Sequence, residues 1–175
     1  MFGVGSSGLP SDWQLFDVDG MSGENRRMTA EALDVILRIW EAEGEMRYEG
    51  QYWTVHVPPP MVDGLLYHHI KPFQKPHPPI GIAGLSPRSD TLKLAGERGF
   101  IPMSLNLSPH YIKTHWEVYE EAAQAAGRTS DRASWRVVRE VFVAETDAQA
   151  RKWCLEGNMG RQEGTYLLPL FKAFD

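Results

Sequence analysis

Residues 78–90, PPIGIAGLSPRSD, place a short apolar run between two prolines and a glycine, and a Ser-Pro pair follows at once. The run predicts a buried strand at 80–83. Ser86 then predicts a helix that begins at Pro87, because serine caps free amides and proline has none to cap. A glycine, hydroxyl groups and Arg88 beside a helix start are also typical of a phosphate site. The residues alone leave both interpretations of Ser86 open, a plain helix cap or an anion contact.

The same order of strand and helix continues downstream. The first helix is expected to run to about Arg98, where Gly99 would end it, and the segment FIPMSLN, 100–106, predicts the next strand. A second Ser-Pro pair at 108–109 then predicts a helix that closes at Gly127. The pattern used at residues 78–90 is therefore repeated.

The last third of the chain predicts one more strand and helix. The segment WRVVREVFVAET, 135–146, is rich in valine and predicts a strand. Thr146 and Gln149 form a capping box, which predicts a helix ending near Gly157. The tail beyond that glycine has apolar residues without a clear period, so no element is predicted there.

Upstream, the chain opens on MFGV, which predicts the end of a strand leading into a glycine-rich loop. Residues 22–43, SGENRRMTAEALDVILRIWEAE, have apolar side chains at three-and-four spacing and predict an amphipathic helix. Arg27 and Glu31, four residues apart on it, suggest a solvated ion pair. The segment EMRYEGQYWTVHV, 45–57, predicts a β-hairpin outside the main fold.

Strand and helix thus alternate along the whole chain, which indicates an α/β fold with parallel strands joined by crossover helices. We count about four such strands, whereas a closed α/β barrel needs eight strands and about 250 residues. The 175 residues therefore form either an open α/β sheet or part of a barrel, in one domain. An opening within a strand favours the partial barrel.

Composition excludes several classes of function. The net charge is -5 and no basic run is present, which argues against a nucleic-acid partner. The single cysteine, Cys154, has no partner for an internal disulfide, and no signal peptide or long apolar span is seen. We expect a cytoplasmic protein without a membrane partner. The six histidines lack ligand spacing, so no metal site is predicted.

Two longer segments carry a family resemblance. The first, residues 3–53, reads GVGSSGLPSDWQLFDVDGMSGENRRMTAEALDVILRIWEAEGEMRYEGQYW, and the second, residues 71–99, reads KPFQKPHPPIGIAGLSPRSDTLKLAGERG. A glycine-ended strand, an R…EAL…I…W helix, a Y.G.Y hairpin and a P.Q.P.PPI..AG.S segment follow in this order. Together they resemble flavin-dependent monooxygenases of the bacterial-luciferase-like family, in particular its limonene and alkane monooxygenase-like branch. The resemblance covers roughly residues 3–145.

The resemblance implies a TIM barrel with inserted segments, including the hairpin, of which this chain is the central part. It implies reduced FMN supplied by a separate flavin reductase, O₂, a small apolar organic substrate and a homo-oligomeric full-length enzyme. It places the flavin phosphate at Gly84, Leu85, Ser86 and Ser89, and the flavin ring above Gly3, Val4, Gly5 and Ser6. The small residues at the end of the first strand would leave room for the flat ring. No catalytic residue is assigned, and the missing barrel parts put catalysis by this chain alone in doubt.

Two other functions stay open. One is a deazaflavin-dependent reductase or dehydrogenase of the same superfamily, which would not consume oxygen. The other is a non-catalytic flavin-binding or interaction protein that pairs through exposed strand edges. Asp12 and Asp19, in the loop after the first strand, are expected to form turns, and a place in a substrate pocket is the alternative.

Overall fold

A computed structural model of the chain describes residues 1–68, 70–105 and 108–172. It contains two compact units, residues 1–138 and 139–175. In chain order the elements are β1 (Phe2–Val4), α1 (Pro10–Leu15), α2 (Glu24–Glu41), β2 (Met46–Glu49), β3 (Thr54–Val57), β4 (Ile80–Gly84), α3 (Asp90–Arg98), β5 (Ile101–Leu105), α4 (Pro109–Ala125), β6 (Arg136–Val138), α5 (Asp147–Glu156), α6 (Asn158–Gln162) and α7 (Leu168–Lys172). A 3-10 turn covers Arg132–Ser134 and a π-helical turn covers Glu163–Leu167.

The first unit is built on a parallel sheet of four strands in the order β1-β4-β5-β6. Neighbours in this order are joined by α2 with the hairpin, by α3 and by α4. All four strands end at the same edge, since Val4 pairs with Ile82 and Gly84 pairs with Ser104. The predicted alternation of parallel strands and crossover helices is confirmed. Side chains at the carboxyl edge of β1 and β4 are therefore neighbours.

The core of this unit lies between the sheet and its helices. Its centre is formed by buried apolar side chains from β4, α2, α3 and α4, including Ile80, Ile82, Leu33, Ala95, Trp116 and Tyr119. Gly96 allows α3 and α4 to approach closely, because a Cβ atom there would lie 2.3 Å from the backbone oxygen of Tyr119. This close contact lets α3 and α4 form one apolar layer over β4 and β5.

The helix after β4 begins later than the sequence predicts. Ser86 lies in a bend, Pro87 and Arg88 form a turn, and α3 starts at Asp90 with Ser89 at the N-cap. The interpretation of Ser86 as a helix cap is therefore wrong. Arg88 has a φ of 46°, and its amide donates to Thr114 Oγ1 at 3.0 Å. Because this contact with α4 holds Pro87 and Arg88 in a turn, α3 begins only at Asp90.

The other Ser-Pro pair behaves as predicted, since the Ser108 side chain accepts from the amide of His110 and α4 starts at Pro109. The strand before it, β5, is confirmed at Ile101–Leu105, while residue 106 of the predicted segment lies outside the described residues. The strand predicted at 135–146 is wrong beyond Val138. Only Arg136–Val138 finds partners on β5, and a strand ends where its backbone has no neighbour to bond.

The hairpin of β2 and β3 forms a separate two-stranded sheet, as predicted. Its turn is attached to α2 by the Glu31 carboxylate, which accepts from the amides of Gln51, Tyr52 and Trp53. The suggested Arg27–Glu31 pair is wrong, because Arg27 instead donates to Tyr52 and to the Ser22 carbonyl. The side chains of Arg27 and Glu31 thus connect the turn of the hairpin with α2, and Arg27 also connects α2 with the loop that precedes this helix.

The second unit begins with irregular residues 139–146 and is helical from α5 to α7. Thr146 accepts from the Gln149 amide at the start of α5, and the helix ends before Gly157, both as predicted. The tail forms α6, the π-helical turn and α7, and α1 in the first unit is likewise an element that the sequence analysis did not predict. Among the described helices, none is long and apolar enough to cross a membrane.

Candidate functional site

The two groups of residues named from the sequence lie at the carboxyl ends of adjacent strands. Gly3, Val4, Gly5 and Ser6 form the end of β1 and its loop, while Gly84 closes β4 and Leu85 follows it. The two loops come together where a Cβ atom on Gly8 would lie 3.3 Å from Leu85 Cδ2. In parallel sheets this edge is the usual place for ligands.

A cavity of about 680 Å³ opens beside β1. Gly3, Val4, Gly5 and Ser6 all line it, and Gly84, Leu85, Ser86 and Ser89 do not. The other walls come from α1, α2 and the hairpin turn and are largely apolar and aromatic, with Trp13, Phe16, Met28, Ile36 and Trp53. Its size and lining are those of a small-molecule site.

Gly3 and Gly5 have open space on the side where a Cβ atom would lie. A Cβ atom built on either glycine meets no atom within 4 Å, and neither has a positive φ. Glycine is therefore required there neither by packing within the described residues nor by backbone conformation. Both positions keep the cavity wall flat and open.

The loop after β1 is held by Asn25, which the sequence analysis did not single out. Asn25 is 8% exposed on α2, and its Nδ2 donates to the carbonyls of Ser6 and Ser7 at 2.8 and 2.9 Å. Ser7 has a φ of 55°, so these bonds stabilise an unusual backbone conformation. The signal in the sequence is an amide at position 25 on the face of α2 that also carries Leu33.

Asp12 and Trp13 add polar groups to the same wall. Asp12 accepts from the Ser7 hydroxyl at 2.6 Å and lines the cavity, while a place in a substrate pocket stays a prediction for it. Asp19 instead accepts from the Ser22 amide in a turn, and this hydrogen bond lowers its pKa. Within the described residues, Trp13 Nε1 and Asn25 Oδ1 are buried atoms without a hydrogen-bond partner. One donor and one acceptor are thus left unsatisfied inside the fold.

In the loop after β4, the structure gives Gly84 and Ser89 roles within the protein. A Cβ atom on Gly84 would lie 2.4 Å from Leu92 Cγ, so the glycine lets α3 pack on the strand. Thr91 donates to the Ala83 carbonyl at 2.6 Å, and the Ser89 hydroxyl must therefore donate to Thr91. The Ser89 proton is engaged inside the fold.

The charged residues of this loop are paired as well. Arg88 forms an ion pair with Glu121 of α4, and this hydrogen bond raises the pKa of Arg88 and lowers that of Glu121. Asp90, in the first turn of α3, pairs with Arg26 at 3.1 Å. Ser86 is exposed, and its hydroxyl has no hydrogen bond to the described part of the chain. Of the predicted phosphate contacts, Ser86 has the side chain that is available to a ligand.

A buried histidine is hydrogen-bonded to the loop after β4. His115 of α4 is 0% exposed, its Nε2 lies 2.8 Å from the Ser86 carbonyl and its Nδ1 lies 3.1 Å from Ser104 Oγ. Burial lowers its pKa, while the bond to Ser86 acts in the opposite direction. The sequence analysis examined this histidine only as a metal ligand and missed the contact.

The family model for luciferase-like monooxygenases matches residues 1–166. The chain belongs to this family. Among the luciferase-like relatives, 3,6-diketocamphane 1,6-monooxygenase of Pseudomonas putida is 36% identical over 152 residues, which are 84% of this chain and 40% of that protein. Limonene 1,2-monooxygenase of Rhodococcus erythropolis is 30% identical over 155 residues, 86% of this chain and 36% of that protein. The resemblance stated from the sequence motifs is confirmed.

A solved structure of this family confirms the predicted partial luciferase-like barrel. It is the oxygenating constituent of 3,6-diketocamphane monooxygenase from Pseudomonas putida, a type II Baeyer–Villiger monooxygenase in complex with FMN. The TM-score is 0.82 at 33% identity, with 98% of this chain and 48% of that chain covered. The chain thus spans about half the length of the relatives it matches.

Proposed function

We propose that this chain carries the flavin site of an FMN-dependent monooxygenase, which uses reduced FMN and O₂ to oxygenate a small apolar substrate. The observation that carries the proposal is the open wall at Gly3 and Gly5, where a Cβ atom would meet nothing but the cavity. A flat ring against this wall explains why glycine stands at both positions.

The loop after β4 and the start of α3 suit the phosphate end of FMN. In the first turn of α3 the Leu92 amide donates to the Ser89 carbonyl, whereas the Asp90 and Thr91 amides have no acceptor among the described residues and lie at the positive end of the helix dipole. The exposed Ser86 lies in the turn before this helix. Asp90 in this turn is paired with Arg26, which offsets its repulsion of a phosphate. A phosphate here and a ring over β1 would join the two loops that meet at Gly8 and Leu85.

The chemistry of the reaction would be supplied by bound FMN and oxygen, since a flavin can carry oxygen transfer without a protein nucleophile. This chain's residues bind, orient and exclude water. Trp13, Phe16 and Trp53 would cover an apolar substrate. A cyclic terpenoid ketone, which the named relatives suggest, suits these walls.

The test is a titration of the purified protein with FMN and with riboflavin, which lacks the phosphate. Gly3→Val should weaken binding of both by about tenfold or more, because its methyl groups occupy the space of the ring. Ser86→Ala should weaken FMN and leave riboflavin unchanged. Gly44→Val is the matched control, since Gly44 also faces open space and lies outside the cavity.

Equal affinity in Gly3→Val and Gly44→Val would contradict the ring position. Gly84→Val is unsuitable as a probe, because it would collide with Leu92 whatever the ligand does. An oxygen electrode then tests the reaction, with reduced FMN delivered by a flavin reductase and a terpenoid ketone present. Substrate-dependent oxygen uptake supports a monooxygenase, reduction without oxygen uptake supports the deazaflavin alternative, and flavin binding without turnover supports a non-catalytic role.

A further inference from the structure

The turn that follows β4 is attached to α4 at both of its ends. At one end the Ser86 carbonyl accepts from His115 Nε2 at 2.8 Å, and at the other the Arg88 amide donates to Thr114 Oγ1 at 3.0 Å. Thr114 in turn donates to the Tyr111 carbonyl within α4. Two adjacent residues of one helix therefore fix the backbone on either side of Pro87.

The protonation of His115 follows from its partners. Trp135 Nε1 can only donate, and it lies 2.8 Å from Ser104 Oγ, so the Ser104 proton is free to go to His115 Nδ1. With Nδ1 as acceptor, Nε2 carries the hydrogen that the Ser86 carbonyl needs. A single neutral tautomer thus satisfies the whole chain from Trp135 to Ser86, and the lowered pKa of His115 agrees with it.

This arrangement has a consequence for an anion at the loop. A carbonyl oxygen is the negative end of the peptide dipole and would repel a phosphate that approached it. His115 holds the Ser86 carbonyl on the α4 side, while the Ser86 residue itself remains exposed. The side chain of Ser86 and the first turn of α3 are then what the loop presents to a ligand.

We propose that His115 and Thr114 are positioning residues for phosphate binding at the turn Ser86–Arg88. They contact the loop and not the ligand, and they act by fixing the direction of the Ser86 carbonyl and the Arg88 amide. The inference rests on the proposed FMN site, because only there does the turn face a phosphate. It assigns a role to a buried histidine that motif spacing leaves unexplained.

Two substitutions at position 115 separate the two bonds of the imidazole. His115→Gln has an amide nitrogen that reaches the place of Nε2 and can still donate to Ser86. His115→Asn reaches only the place of Nδ1, so it keeps the Ser104 bond and loses the Ser86 bond. Both variants disturb the core, so the comparison between them removes the general cost of replacing a buried ring.

The measurement is the ratio of FMN affinity to riboflavin affinity, together with the urea midpoint of each variant. We expect His115→Asn to lower the ratio by about tenfold, as for one lost hydrogen bond, and His115→Gln to stay within about threefold of wild type. A purely structural histidine would shift both ligands together and leave the ratio unchanged. An unchanged ratio in a folded His115→Asn variant overturns the proposal for this residue.

Thr114→Val keeps the proposal testable if the buried variants do not fold. It removes the acceptor of the Arg88 amide at a half-buried position and should also lower the ratio by several fold. An unchanged ratio in this variant overturns the role of Thr114. A wild-type protein that binds neither FMN nor riboflavin contradicts the proposed function itself, whereas a phosphate preference that survives all three substitutions contradicts only this inference.

Discussion

His115 shows how one buried side chain links a loop to the core, since it bonds to Ser86 after β4 and to Ser104 of β5. It is enclosed between β5, α4 and the turn after β4, and its hydrogen bonds leave no room for a second proton without breaking the bond from Ser104. Burial lowers its pKa below the ordinary value of 6.5. The neutral form is therefore part of the folded state.

This predicts an acid-sensitive contribution to stability. Because the pKa of His115 is lower in the folded protein, the unfolded chain binds more protons once the pH falls below about 6.5, and the free energy of unfolding decreases there. The contribution is fully present above that pH. Urea unfolding at about pH 7.5 and pH 5.5 should show a smaller acid loss in His115→Gln than in wild type. Equal losses would mean that His115 is protonated in the folded protein.

At the scale of elements, the hairpin is attached to α2 by several hydrogen bonds, most of which the Glu31 carboxylate accepts. Glu31 accepts from three successive amides of the turn, and Trp53 Nε1 donates to the Met28 carbonyl of the same helix at 3.1 Å. Trp53 is a wall of the cavity. The position of that wall therefore depends on Glu31 together with the indole bond to Met28.

Glu31→Gln should loosen this attachment. The amide keeps one accepting oxygen but turns an NH₂ group toward backbone N–H donors, so we expect a loss of about 1–2 kcal/mol in the free energy of unfolding. Trp53 emission should shift to longer wavelength as its ring becomes more exposed. Glu41→Gln on the exposed face at the end of α2 is the control and should change neither measurement. An unshifted emission in Glu31→Gln would contradict the proposed role of the carboxylate.

The elements also show what the sequence can and cannot predict. Helices α2, α4 and α5, the hairpin and strands β4 and β5 follow from periodicity and from Ser-Pro, glycine and Thr146 signals, which act within a few residues. The late start of α3 could not be predicted, because the turn at Arg88 is held by Thr114, a residue 26 positions away. The same holds for Asn25 and His115, whose partners lie on other elements.

The positions of the two candidate loops were predictable, whereas the roles of their residues within the fold were not. Motif order located both loops, and parallel topology explains why they meet. It did not reveal that Gly84 and Ser89 are used in packing and internal bonding, or that Arg88 is paired with Glu121. These roles depend on contacts made by α3 and α4, which no local pattern contains.

For the molecule as a whole, the parallel sheet has two outer strands. In the described residues β1 pairs only with β4, and β6 pairs only with β5, so each presents one edge of backbone donors and acceptors. Val138 on β6 is 51% exposed. Relatives of about twice the length match this chain, and outer strands with apolar side chains are surfaces at which further strands can add.

We therefore expect the 175-residue chain to self-associate through these edges when it is prepared alone. A lysine on an edge strand opposes pairing by placing a charge where a second strand would lie, so Val138→Lys should weaken association. Val143→Lys is the matched control, since Val143 is 84% exposed and lies outside the strands. Sedimentation equilibrium over the micromolar range gives the association constant for each protein. A wild-type chain that stays monomeric throughout this range, or an equal effect of both lysines, would show that the edges are not where copies meet.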